Sequence, residues 1–493
     1  MKRSILLSVL TILVASGLLP ADGMTGYRGD TTGVFTDGPV PAQGKVLWKA
    51  PLPNWGFGFP IVVDGKVFCM SEPGWKHTFP VLTCHSAADG KLLWELELDH
   101  LAATGLPKDT QDAMRTEMAR RWAWWRKAWA DGKGRSPKEQ RLKPDWQQRG
   151  YKGLPLEQHG LYAGTWWDWG MTLIGHAFPT PVSDGEHVYV VTGRGTQACI
   201  TMDGKVKWLN RSDYDLFRGE DCKNARSPVL WKNLLIASNG TAVRAYDKAT
   251  GQEVWRVETD AGHTVATPVF ITLGETEFIY TCVNTFIRLR DGKKMTLKGG
   301  IGEGVHTPAV NDEHDIIYFS GNGEHCSFTH SHKGKGLKMP VAVKFRLEGE
   351  AIKGEILWQG DRDNKPPLYH DGRLYCGNTI YDALTGKVLK AGSRTERVVP
   401  ATRHVLLTDG RHIFGVDARY DKRKKAGEPG VVQAFTLDGK PAGRVELPYT
   451  PDPGRCRAKM GGADWGFSNS CPFILHQGRA YIRGFDSIYC VGE

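Results

Sequence analysis

The sequence lacks the local spacings by which cysteine does redox or metal work. Its ten cysteines, in 493 residues, form no C-x-x-C and no adjacent pair. A thioredoxin-like dithiol, a zinc ribbon and covalent haem attachment are thereby excluded. It also lacks a second long apolar run. The one present, Ile5–Leu19, follows Lys2 and Arg3 and leads into small residues, with Ala15 and Gly17, or Ala21, suited to cleavage. That pattern predicts a secretory signal peptide over residues 1–21, too short and wrongly flanked for a membrane span. No cysteine follows the run to carry a lipid, so no lipobox is read. No other stretch approaches the ~20 apolar residues a spanning helix needs. The expectation is a periplasmic or extracellular chain with no membrane span.

Acidic residues are in the minority: 54 Asp and Glu against 64 Lys and Arg give a net charge of +10. Loss of Lys2 and Arg3 with the leader would reduce this by two, to +8. Much of the excess sits in Lys422–Lys425 and Lys333–Lys338. Short runs of this kind are solvated loops and do not predict a nucleic-acid face. Export permits disulfides. Cys69 with Cys84, or Cys456 with Cys471, are placed to bridge; the alternative is that the cysteines serve as small buried hydrophobes.

What is present in abundance is repetition. One unit reads Ser227-Pro228-Val229, then Leu234–Ala237, then Ala242–Asp247, then Thr250-Gly251, and closes on Trp255. Strand-length apolar stretches separated by glycine turns make this a four-stranded meander. Eight such units open at Phe59-Pro60, Thr180-Pro181, Ser227-Pro228, Thr267-Pro268, Thr307-Pro308, Pro366-Pro367, Val399-Pro400 and Cys471-Pro472. The last unit stops after Val491 without its closing Gly-Lys…Trp segment, and that segment occurs instead at Gly44–Trp48. The N-terminal strand is therefore expected to complete the last unit and close a ring, which removes exposed sheet edges. Residues 22–493 read as a single domain.

Ala245–Trp255 matches in full the A-x-D-x-x-T-G-x-x-x-W motif of pyrroloquinoline-quinone (PQQ) type repeats. Ala88–Trp94 and Tyr381–Lys387 match it in part, and Tyr27-Arg28-Gly29 with Gly33 resembles the leader of PQQ-like propellers. The chain is therefore identified as resembling the PQQ-like β-propeller family over nearly its whole mature length. The resemblance implies an all-β, eight-bladed propeller of the quinoprotein-like type. Quinoprotein alcohol dehydrogenases of this family hold PQQ over a disulfide between consecutive cysteines, beside a calcium ion. No consecutive cysteines occur here, so PQQ with calcium is disfavoured as a cofactor.

The first two opening prolines are 121 residues apart, against 40 between the third and fourth. An insertion over residues 99–172 is expected between blades 1 and 2. Within it, Met114, Met118, Trp122, Trp125 and Trp129 form one apolar stripe that predicts a tryptophan-rich helix over 109–130. Its expected role is packing on the propeller surface, the alternative being a partner or membrane-surface contact.

In a propeller the innermost strand lines an axial channel, so residues just before each opening proline surround one mouth. Trp55, His176, Arg226, His263, Glu303, His306, Asp464 and Trp465 share that phase. Aromatic rings with imidazoles and carboxylates suit a sugar or a flat small molecule. The competing expectation is that they cap strand ends and hold channel water. His325, Cys326, His330 and His332 are of ligand type for zinc or copper, although their spacing matches no metal motif. The function expected is binding of a small molecule, carbohydrate or envelope protein at the mouth, without catalysis. The alternatives are a quinoprotein-type oxidoreductase, a sugar-active or metal-dependent enzyme, and an envelope assembly scaffold.

Overall fold

The computed structural model describes residues 25–72, 79–130, 154, 177–193, 195–212, 226–239, 242–259, 266–282, 285–298, 306–321, 338–360, 365–402, 405–418, 420–421, 426–449 and 471–493, with helical side chains only as far as residue 120. Eight antiparallel sheets follow one another along the chain. Blade 1 is typical: Ile61–Val63, Lys66–Ser71, Val81–Ser86 and Leu92–Glu97 pair in sequence. Blade 5 carries a fifth strand, Thr296–Lys298, added in parallel to Ala351–Gln359. Blade 8 consists of Phe473–His476, Arg479–Arg483 and Ser487–Gly492, and is completed by Lys45–Pro51 from the other end of the chain. Val46 lies opposite Val491 and Trp48 opposite Cys490. The structure is an eight-bladed β-propeller closed by its N-terminal strand.

The core is divided among the blade junctions, because each sheet buries both faces. Alternate residues of a strand go to opposite neighbours. Cys69 joins Val62, Val67, Ile474 and Ile488 between blades 8 and 1, whereas Cys84 joins Ile61, Phe68, Val188 and Ile200 between blades 1 and 2. In register, Cys69 faces Thr83 and Cys84 faces Phe68. The two thiols thus point to opposite faces of their sheet, and both are free. The expected Cys69–Cys84 bridge is ruled out by that alternation. Cys471 is free and buried, and Cys456 lies outside the described residues.

Each closing tryptophan belongs energetically to the next blade. Trp48, Trp94, Trp208 and Trp358 donate their indole N–H to the carbonyls of Ala87, Met202, Lys248 and Ala383 across the junction, at 2.9–3.2 Å. Each ring lies over the glycine of the neighbouring second turn. At Gly251, whose φ is +74°, a methyl group would sit 2.7 Å from the Trp208 ring. This explains why Thr-Gly and Asp-Gly turns and tryptophans recur together.

A polar tie reinforces the junction between blades 2 and 3. Asp184 accepts from Lys248 at 2.8 Å, from the Tyr189 hydroxyl at 2.9 Å and from the His187 amide. Burial by itself would raise its pKa, but these donors outweigh it and hold the carboxyl below its usual value. A depressed folded pKa contributes stability above the unfolded value near 4 and loses it as pH falls through the folded value. Asp184→Asn should therefore lower stability at pH 7 by roughly 1–3 kcal/mol, a deficit that shrinks below about pH 4. Urea unfolding at both pH values checks this.

Between blades 1 and 2 lies the helix Lys108–Ala130. Met114 and Met118 are fully buried against Phe79 and Leu101, and Arg115 bonds Asp99 at 2.6 Å. The side chains of Trp122, Trp125 and Trp129 lie outside the described residues.

Candidate ligand-binding mouth of the channel

In blades 1, 2 and 4 the residue before the opening proline leads into an innermost strand, and its amide is satisfied outside its own sheet. The next blade supplies the acceptor. Phe59 donates to the Thr180 hydroxyl at 3.0 Å, Thr180 to the Ser227 hydroxyl at 3.0 Å, and Thr267 to the Thr307 hydroxyl at 2.9 Å. Small hydroxyl residues before proline are thus explained: the hydroxyl serves the neighbouring blade, and the proline brings no amide of its own to satisfy.

Charged groups lie behind this ring of hydroxyls. Arg226, two residues before Pro228, is fully buried and donates to the Ser238 hydroxyl at 2.9 Å. Nearby, burial pushes the Cys282 thiol up to about 12 against the opposing pull of Arg226. Arg483 crosses from blade 8 to blade 1, donating to the Met70 carbonyl and, at 3.3 Å, to the Ser71 hydroxyl. Burial lowers its pKa, while Cys69, Glu72 and Asp486 act in the opposite direction. Glu72 is itself buried and accepts the Ala177 amide.

Three of the mouth residues read from sequence are described. Trp55 is a core residue: it is buried, stacks at 6.4 Å on Phe485, and meets Phe57 edge-on at 5.3 Å. Arg226 is held as above, and His306 is half-buried at the opening of blade 5. His176, His263, Glu303, Asp464 and Trp465 lie outside the described residues, as do His325, Cys326, His330 and His332.

Sequence reasoning gave no site role to the segment Thr25–Phe35, which crosses the opposite end of the channel. Thr25 exchanges backbone hydrogen bonds with Ser183 in blade 2, while Gly33 and Phe35 bond Thr408 in blade 7. Ser183 and Thr408 end their inner strands beside the first turns. From that face Tyr27 and Arg28 reach the hydroxyl ring. The Tyr27 ring meets Phe59 of blade 1 edge-on at 4.8 Å, and its hydroxyl interacts with Thr307 of blade 5, across the ring. Arg28 donates to the carbonyl of Pro367 in blade 6 at 3.1 Å. The available signal was the resemblance of Tyr27-Arg28-Gly29 to a family leader, which carries no geometry.

The PQQ-repeat family model described as "Outer membrane protein assembly factor BamB" matches residues 31–119 and 125–281, together about half of the chain. No curated protein matches significantly. Among solved structures, the chain is similar to BamB from Moraxella catarrhalis (13% identity, TM-score 0.40, covering 63% of this chain and 80% of that one). It is also similar to the computationally designed Ika8 protein (8%, 0.49, 91% and 99%). A third similar structure is quinohemoprotein alcohol dehydrogenase from Comamonas testosteroni (10%, 0.41, 92% and 77%). The repeat-family match runs from the crossing segment into blade 4, and the same blade design continues to the closing strand. The chain belongs to the PQQ-like β-propeller family.

Proposed function

We propose that the protein is a non-catalytic binding propeller of the cell envelope, engaging a polar small molecule, a sugar or a segment of a protein partner at the mouth on the opening-proline face. The observation that carries this reading is the crossing of the other end of the channel by Thr25–Phe35, with Tyr27 set between blades 1 and 5. Approach to the axis is then from the face where half-buried His306 opens blade 5, with Arg226, Glu72 and Arg483 buried at the same end of blades 3, 1 and 8. Those groups differ from one another, as an asymmetric ligand requires. The envelope assignment is supported by the leader-like residues 1–21 and by the family model's description as an outer membrane assembly factor. That description also favours a protein partner over a free metabolite.

The test is a screen of glycans, metabolites and envelope proteins by calorimetry, followed by His306→Ala and His263→Ala. Loss of one buried hydrogen bond or ring contact should weaken binding by roughly 1–3 kcal/mol, about 5- to 150-fold. Variants that fold normally and bind like the parent would move the site away from this mouth.

A further inference from the structure

We propose that the outer face of blade 5 binds an acidic polysaccharide, whose carboxylates it takes on a row of cations running across three strands. The surface lies on the rim, apart from the channel mouth, and does not depend on what the mouth engages.

The row arises where the repeat is broken. In a regular blade the second turn leads into a fourth strand that carries the closing tryptophan, as Asp89-Gly90 leads to Trp94 in Leu92–Glu97. In blade 4 the turn Asp291-Gly292 is followed by Lys293-Lys294-Met295, with Thr296 where the tryptophan would stand. Only Lys293–Lys294 pairs within blade 4. The chain then leaves, and Thr296–Lys298 adds in parallel to Ala351–Gln359 of blade 5. In register, Lys298 stands beside Lys353, and Lys353 beside Arg346 on the next strand. All three are exposed. Neighbouring strands lie about 4.8 Å apart, and opposed side chains share one face of the sheet. Lys344, two residues from Arg346 along its strand, is exposed on the same face.

Like charges in opposed positions destabilise a sheet. The carboxylates of this face do not relieve the row. Glu348 and Glu355 are both held by Arg346, at 3.0 and 3.6 Å, and among the described residues none forms an ion pair with Lys298, Lys344 or Lys353. The other face of the same strands is committed to the core, with Phe345 and Ile352 buried alongside Phe286 and Met295. The cations are therefore displayed on a fixed scaffold. The surrounding rim has the same sign: Arg288–Lys298 and Lys344–Glu355 hold eight cations and four carboxylates, an excess of four in a chain whose net charge is +10.

The shape of the patch selects the partner. Cations one strand apart form a line, which complements a thin chain carrying a carboxylate on each unit. A flat anionic surface resting on the hairpin of Val341–Glu348 and Ala351–Gln359 would also meet Glu348 and Glu350, both exposed at its tip. A chain lying along the row need not.

The experiment measures polygalacturonate binding by calorimetry at about 20 and 200 mM sodium chloride. It compares the parent with Lys298→Gln/Lys353→Gln and with Lys91→Gln/Lys207→Gln, which removes the same charge from exposed positions on blades 1 and 2. The row variant should bind roughly 5- to 30-fold more weakly, with a shallower salt dependence, while the control stays within about twofold of the parent. Relief of the like-charge contact should also raise the Tm of Lys353→Gln, by about 1 °C. Equal weakening in both double variants would reduce the effect to net charge and overturn the proposal. So would a parent that leaves the polymer unbound, including one that binds phosphatidylglycerol vesicles in its place. A lowered Tm in Lys353→Gln would show that the lysine serves the sheet and would remove the premise.

Discussion

Arg483→Met should destabilise the protein by about 3–5 kcal/mol. The guanidinium is fully buried where blade 8 meets blade 1, and its two described hydrogen bonds cross that junction, to Met70 and Ser71. Methionine keeps most of the side-chain volume, so the loss is electrostatic and not a cavity. What remains is Glu72 and Asp486, both buried, without the cation whose field they share. In the variant these carboxyls are protonated more readily in the folded state than in the unfolded chain. A raised folded pKa gives stability that is kept below the unfolded value near 4 and lost as pH rises. The deficit should therefore be larger at pH 8 than at pH 5. Adding Glu72→Gln should recover part of it at pH 8. Urea unfolding at both pH values measures these differences. A uniform deficit below about 1 kcal/mol would show that Arg483 contributes packing alone.

The blades were readable because they repeat. Eight openings, most of them followed by turns at matching offsets, need no knowledge of contacts, and a final unit lacking its fourth strand points to Gly44–Trp48, which lies in the closing strand Lys45–Pro51. The same repetition hid the site. A shared phase relative to the opening proline places residues at one end of the channel, but it does not say which way a side chain turns. Trp55 shares the phase of the mouth residues and is nevertheless buried on Phe485, because it packs into the cluster shared by blades 7 and 8. The cysteines illustrate the same limit: adjacent strands were correct for Cys69 and Cys84, but a one-residue offset in register sends them to different junctions. The crossing segment was the least legible element. Tyr27 and Arg28 occur once, outside the repeat, and their partners Phe59, Thr307 and Pro367 are set by the closed ring and not by local sequence.

Trp48→Ala should weaken the ring at its closure, by about 3–5 kcal/mol. The indole is 9% exposed and belongs to the apolar cluster between blades 8 and 1, with Val67, Ile474 and Tyr481. It donates to the Ala87 carbonyl at 3.1 Å and lies over Gly90 in blade 1. Truncation removes the largest apolar group at that junction and leaves the Ala87 carbonyl with one donor fewer. The equivalent tryptophans join blades that are consecutive in the chain, so their loss leaves the connection itself intact. Trp48 instead holds together two ends of the sequence: Lys45–Pro51 is the strand that covers Ser487–Gly492, every residue of which is buried. Once the closing strand detaches, blade 8 presents an unpaired apolar edge, a template for association with other chains. Trp48→Ala should thus lower the unfolding midpoint and also promote aggregation before global unfolding, whereas Trp208→Ala should lower the midpoint without that early phase. Light scattering recorded alongside circular dichroism during thermal unfolding separates the two. Equal aggregation onsets relative to Tm in both variants would show that the closing strand is no weaker a link than any other junction.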